Sequence, residues 1–129
     1  YVTNFEEGYS TVMMTNTIIA HHGEGIHVTA GNTATLNATL WYSDVSGNTG
    51  GDGAISTYYD YTGDPAFAPD GYHLTSGSAA IDKGLPAHVT TDIDGDARPV
   101  GSGPDLGADE FALRQVYLPL VVRSLQRRQ

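Results

Sequence analysis

The stretches TNTIIAHHG (residues 15–23) and LNATLWYSD (residues 36–44) decide how this chain is read. Aligned end to end, they place Asn16 over Asn37, Ile19 over Leu40 and Ala20 over Trp41. A period of about 20 residues suits a solenoid whose turns each supply short parallel strands and bury their apolar faces only against neighbouring turns. Asparagines at one point of successive turns would stack as an amide ladder, each side chain bonding the next. A β-sandwich whose strands are alike by chance is the competing architecture.

Outward from these stretches the chain keeps the same texture as far as residue 60. The runs STVMMT, NTIIA, GIHVTA, ATLNATLWY and AISTYYDY, and the separate run HVTTDI at residues 88–93, are rich in β-branched and aromatic residues, with Gly, Asn and Asp clusters between them. No long segment keeps apolar residues at helical spacing, and sixteen glycines and six prolines break the chain. The expected class is therefore all-β. Residues 1–60 are read as coils, and residues 61–111, richer in Gly, Pro and Ser and without a repeat, as an irregular cap. Phe67, Tyr72, Leu74 and Ile81 are the apolar residues expected to close the last coil.

The 129 residues suffice for one domain with a real core. Cysteine is absent, which excludes disulfides, thiolate metal sites and a cysteine nucleophile. Secretion stays compatible with that composition. A start at Tyr1, with neither an initiator Met nor a basic-then-apolar leader, is expected of a piece cut from a longer precursor. Residues 1–111 hold all fifteen acids against Lys83 and Arg98, a net charge of −13, while residues 112–129 carry four arginines and no acid. So acidic a body excludes nucleic acid as a partner, because phosphate binding needs a basic stripe. The basic tail at 112–129, read as an edge strand or sorting tail, contains VYLPLVV (residues 116–122) with Pro119 inside it. That run falls far short of the ~20 apolar residues that span a bilayer, so no membrane-spanning segment is expected.

The motifs DPAF, YHLTSGSAAIDKG, DIDGDARP and PDLGADEF follow one another between residues 64 and 111. In that order they resemble the C-terminal part of bacterial choice-of-anchor Q domain proteins. The resemblance implies a right-handed parallel β-helix of the pectin-lyase-like shape, in its terminal coils, and a secreted or cell-surface location. It implies polysaccharide or cell-envelope components as partners and transfers no common reaction.

The loop DIDGDARPVGSGPDLGADEF (residues 92–111) packs six acids around Arg98. Asp92, Asp94 and Asp96 alternate as calcium ligands do, with Asp105 or Asp109 available to complete a shell. Gly95 at position 4 and Gly103 at position 12 exclude an EF-hand. The favoured reading is a clasp, in which Arg98 offers its planar fork to Asp92 or Asp105 and pins two loop segments. Calcium is accordingly the one cofactor under consideration. Ser78, Asp82 and Gly84 in SAAIDKG are read as turn formers, Gly84 in a left-handed conformation, since SGSAA is not a nucleophile elbow. His21, His22 and His27 are read as solvated at a coil corner, because strand neighbours point to opposite faces, and His73 and His88 as isolated. Trp41 and Tyr42, with Tyr58, Tyr59 and Tyr61, are either packing residues or a stacking platform for sugar rings.

Three functions follow as expectations. The first is a non-catalytic structural or capping domain of an exported β-helix protein. The second is part of a polysaccharide lyase or glycoside hydrolase whose catalytic acids lie on upstream coils, since no acid/base pair sits in a recognisable motif here. The third is a carbohydrate- or calcium-binding adhesion module.

Overall fold

The computed structural model describes residues 8–43 and 48–113. The described residues form five strands and no helix: β1 (Thr11–Ala20), β2 (Ile26–His27), β3 (Thr33–Tyr42), β4 (Thr49–Gly50) and β5 (Ala54–Thr62). Threonine, isoleucine and tyrosine dominate the long strands, and their branched or flat side chains suit a pleated surface. β1, β3 and β5 form one parallel sheet in that order, and β2 pairs with β4 in a second parallel sheet. Parallel neighbours cannot be joined by a tight hairpin. Here each connection runs through the second sheet, so the chain visits both sheets on every pass.

The register departs from the sequence alignment at the first step. Thr11 lies beside Thr33, and Thr33 in turn lies beside Ala54, so the first pass is one residue longer than the second. The extra residue sits in the connection at 21–32, compared with that at 43–53, and it displaces the pairing. Asn37 consequently stands beside Thr15 and Tyr58, and Asn16 stands opposite Ala38. No asparagine ladder forms. Asn16 instead turns to the later part of the chain, where its side chain accepts the Leu85 amide at 2.7 Å and donates to the Leu85 carbonyl at 2.7 Å.

Asn16, Ala38 and Tyr59 occupy one row across the sheet, and all three are left-handed, with φ of 55°, 53° and 58°. Only asparagine among these residue types visits that region readily; for the others it costs about 1–2 kcal/mol. Repeated in register, the bend creases the whole sheet along one line.

The two sides of the crease are buried differently. In β3, Thr33 to Asn37 alternate between half-buried and buried, the pattern of a strand with one covered face, but Ala38, Thr39, Leu40 and Trp41 are all buried. Leu36, Ala34 and Trp41 pack with Ile26 and Val28 in one core, flanked by Val12, Met14, Ile19 and Ile55. Ala38 and Leu40 pack with Leu74, Ala80 and Leu106 in a second, flanked by Ile18, Tyr61 and Phe67. Neighbours Leu40 and Trp41 thus point to opposite faces and into different cores.

The second core is made by residues 61–111, which lie over that face and touch all three long strands. Gly107 donates its amide to the Asn16 carbonyl at 2.9 Å, and Leu106 donates to Ala80 at 3.0 Å. Of the four residues expected to close the coil, Leu74 is buried, Phe67 and Ile81 are half-buried, and Tyr72 is 42% exposed. HVTTDI, expected as a strand, forms only an antiparallel bridge between Thr91 and Ala97. The tail expected at 112–129 lies outside the described residues from 114 onward.

Candidate functional site

The acidic loop folds around backbone amides. Asp92 Oδ1 accepts the amides of Asp94 at 3.0 Å and Asp96 at 2.8 Å, and its Oδ2 accepts that of Glu110 at 3.2 Å. Burial alone would raise the Asp92 pKa, but the amides of Glu110, Asp96, Asp94 and Gly95 hold it below the ordinary carboxylate value. Asp94 points the other way and meets His73. The alternating carboxylates Asp92, Asp94 and Asp96 therefore do not converge on one point, as calcium coordination by this trio requires.

Arg98 finds a different partner from either expected one. Its Nε lies 3.3 Å from Glu110 Oε2, with the two side chains 6% and 0% exposed. Its Nη1 donates to the Gly107 carbonyl at 3.0 Å, and its Nη2 donates to the carbonyl of Asp105. The Asp105 carboxylate is engaged elsewhere, accepting the amides of Asp82 at 2.8 Å and Phe111 at 2.7 Å. Burial pushes the Asp105 carboxyl up, those two amides pull it down, and the charges of Glu110 and Asp82 add to the rise. Glu110 also accepts the amides of Val100 at 2.6 Å and Asp105 at 3.0 Å. Arg98 and Glu110 thereby tie together the segments 98–100 and 105–110, and the Asp105 carboxylate adds the segment around Asp82.

The turn residues of SAAIDKG support the same clasp. Ser78 Oγ accepts the Ala80 amide at 3.1 Å. Asp82 carries the left-handed φ, 58°, that was expected of Gly84, and its Oδ1 accepts the amides of Ser102 and Gly103. The Gly103 and Ser102 amides hold the Asp82 carboxyl below its ordinary value. Gly84 is needed for close approach instead: a Cβ there would lie 2.7 Å from the Asp105 carbonyl oxygen.

Trp41 is 6% exposed and donates its Nε1–H to Asp60 at 3.2 Å, so it packs in the first core and presents no ring to a sugar. Tyr42 is half-buried, edge-on to His21 at 5.5 Å. Of the five aromatics considered for sugar stacking, Tyr58 and Tyr59 on β5 stand open, 56% and 63% exposed. His21 is exposed, His22 is half-buried edge-on to Trp41, and His27 pairs with Glu24 at 3.0 Å. These histidines do not gather into a metal-binding group.

One group that sequence spacing did not reveal is assembled by the loops. Asp70 Oδ1 accepts the amides of Tyr72 and His73 at 3.1 Å each, and its Oδ2 accepts His73 Nδ1–H at 2.7 Å. His73 Nε2 donates to Asp94 Oδ2. Hydrogen bonds to Asp70 and then to Asp94 raise the His73 pKa to about 9, while His73 and the two amides bring Asp70 down to about 2. Asp109, 6% exposed, lies alongside and accepts the Leu74 amide at 2.6 Å. His73, Asp94 and Asp109 each offer one donor atom, all within 4.8 Å of one another, at a cleft of about 250 Å³. Asp94 and His73 are far apart in sequence, as are Leu74 and Asp109, so no local motif could flag them. A larger groove of about 570 Å³ runs between the crease at Asn16 and residues 85–93. Among the described residues its titratable lining is His88, Asp92 and Arg98, the last two already engaged.

Comparison with known proteins finds no family model, no curated protein and no solved structure that matches this chain.

Proposed function

We propose that this chain is a non-catalytic structural module: terminal coils of a right-handed parallel β-helix with a covering cap, in an exported or cell-surface protein. The observation that carries this reading is the left-handed row Asn16, Ala38 and Tyr59, which bends three parallel strands in register on successive passes of nearly equal length. Right-handedness is the rule for parallel crossovers. The motif order at 64–111 adds the likeness to choice-of-anchor Q proteins, and with it the surface location.

The carboxylates support a structural role. Asp82, Asp92, Asp105 and Glu110 each accept two or more backbone amides, which fixes loops and leaves them poorly placed for proton transfer to a substrate. The test is incubation of the purified chain with uronate-containing and neutral polysaccharides, following unsaturated uronides and reducing ends. The expected result is no product; release of either, lost on substitution of a loop carboxylate, would overturn the reading. A crystal structure with a left-handed coil or antiparallel long strands would overturn the architecture.

A carbohydrate-binding module is the second reading, favoured by Tyr58 and Tyr59 standing open on β5. Saturable binding of a soluble polysaccharide, weakened by Tyr58→Ala, would establish it in place of an inert spacer.

A further inference from the structure

The two ends of the coil are finished differently, and the difference points to a partner. Followed across the parallel sheet, the positions that face the first core form rows: Val12, Ala34 and Ile55; Met14, Leu36 and Thr57; Ile19, Trp41 and Thr62. Thr17, Thr39 and Asp60 make a further row on that face, where Trp41 donates to Asp60. At β5 three of the four rows end in a polar residue. Thr57, Asp60 and Thr62 are all exposed, so this end meets water as the polar face of a terminal repeat does.

At β1 three of the same four rows end in an apolar residue. Val12, Met14 and Ile19 are only half-buried, and with Ile26 they line a groove of about 440 Å³. The cap lies on the opposite face, around Ala38 and Leu40. Among the described residues no strand pairs with the outer side of β1. Its sequence, TVMMTNTIIA, also has neither a charge nor a proline, the usual devices that protect an exposed strand edge.

We propose that β1 is a docking edge for one more parallel β-strand carrying apolar side chains at its inward positions, of the kind a further coil supplies. This inference rests on the β-helix reading and adds to it which end is closed and what the other end accepts. The fit is continuous with a ladder the structure already contains, because β3 meets the inner side of β1 in parallel, pairing on both sides of the crease and passing over Asn16 and Ala38. A strand that repeats this arrangement takes Val12, Met14 and Ile19 out of water and pairs the outer backbone groups of β1. A second copy inverted on β1 suits the edge less well. Matching inward positions, Val12 to Ile19 and Met14 to Thr17, would set Asn16 beside Thr15 and put the two left-handed bends out of register.

The test titrates a synthetic copy of β3, TATLNATLWY (residues 33–42), into the full chain, followed by calorimetry and melting temperature. The expected result is saturable one-to-one binding with a rise in melting temperature, and none with a scrambled peptide of the same composition. Met14→Lys should weaken binding by at least about tenfold, because its ammonium would have to leave water in an apolar groove. Thr57→Lys, at the other end of the same row, should leave binding unchanged. Val12→Lys carries the test if Met14→Lys does not fold. Absence of saturable binding, binding lost in Thr57→Lys but kept in Met14→Lys, or self-association of the chain through β1 in place of peptide binding would overturn the proposal. The coil architecture has its own test in a crystal structure, so a failed titration strikes the docking edge alone.

Discussion

Replacing Arg98 by Met should be among the most damaging single changes to this chain. The substitution keeps a long side chain but removes the cation beside Glu110, whose own side chain is fully buried, and takes donors from the Asp105 and Gly107 carbonyls. Glu110 would keep only the amides of Val100 and Asp105. Breaking a buried pair from one side costs about 3–5 kcal/mol, because the surviving charge is left without its counter-ion. With the pair almost wholly out of water, solvent screening does not reduce that figure. For a domain of this size it corresponds to a fall of roughly 10–20 °C in melting temperature. The assay is urea denaturation of wild type, Arg98→Met, Glu110→Gln and the double variant, fitted to midpoint and slope. The two single changes should couple, the double variant losing less than their sum by roughly 2 kcal/mol, within the range seen for residues in one network. A cost below about 1 kcal/mol for Arg98→Met, or additive costs, would refute the clasp as the element that organises the cap.

Gly84→Ala should lower stability by about 1–3 kcal/mol at unchanged urea slope, because the added Cβ meets the Asp105 and Pro104 carbonyl oxygens at 2.7 and 2.8 Å; a neutral outcome would refute the close approach. Tyr59→Asn should raise stability by up to about 1 kcal/mol, read as a higher urea midpoint, since an exposed residue at φ 58° is relieved by a side chain that tolerates the left-handed region. A loss of stability there would contradict the crease. The bond of His73 to Asp70 and Asp94 contributes stability that is complete below the ordinary histidine pKa of about 6.5 and is lost as pH rises through about 9. The other groups facing His73 are Asp109 and Tyr72, whose own pKa is raised first by burial and then by Asp94, Asp70 and Asp109. A pH series of melting temperatures should fall between those values in wild type and stay flatter in His73→Gln. Equal slopes would place the titration elsewhere.

Much of the architecture follows from local pattern. Branched and aromatic runs separated by Gly, Asn and Asp dictate strands, because such side chains suit a pleat and such turns permit reversal. The change from one covered face to two is not written in β3, where the alternation runs on through Leu40 and the polar Thr39 is nevertheless buried. The likeness between residues 15–23 and 36–44 announced parallel neighbours, but its offset misses the register by one residue, so that aligned residues such as Ile19 and Leu40 face different cores.

What tertiary structure decided is where each polar group ends. One extra residue in a connection shifted Asn37 from Asn16 to Thr15 and abolished the expected ladder. Arg98 had six nearby acids to choose from in sequence, and the fold places its Nε 3.3 Å from Glu110 while Asp92 and Asp105 turn their carboxylates to backbone amides elsewhere in the cap. His73, isolated by its sequence neighbours, gains Asp94 and Asp109 only when three loops close on one face of the sheet. Periodicity records which face of a strand is buried, a local property; the partner of a charge depends on which distant backbone amides reach it first, and that is settled only by folding.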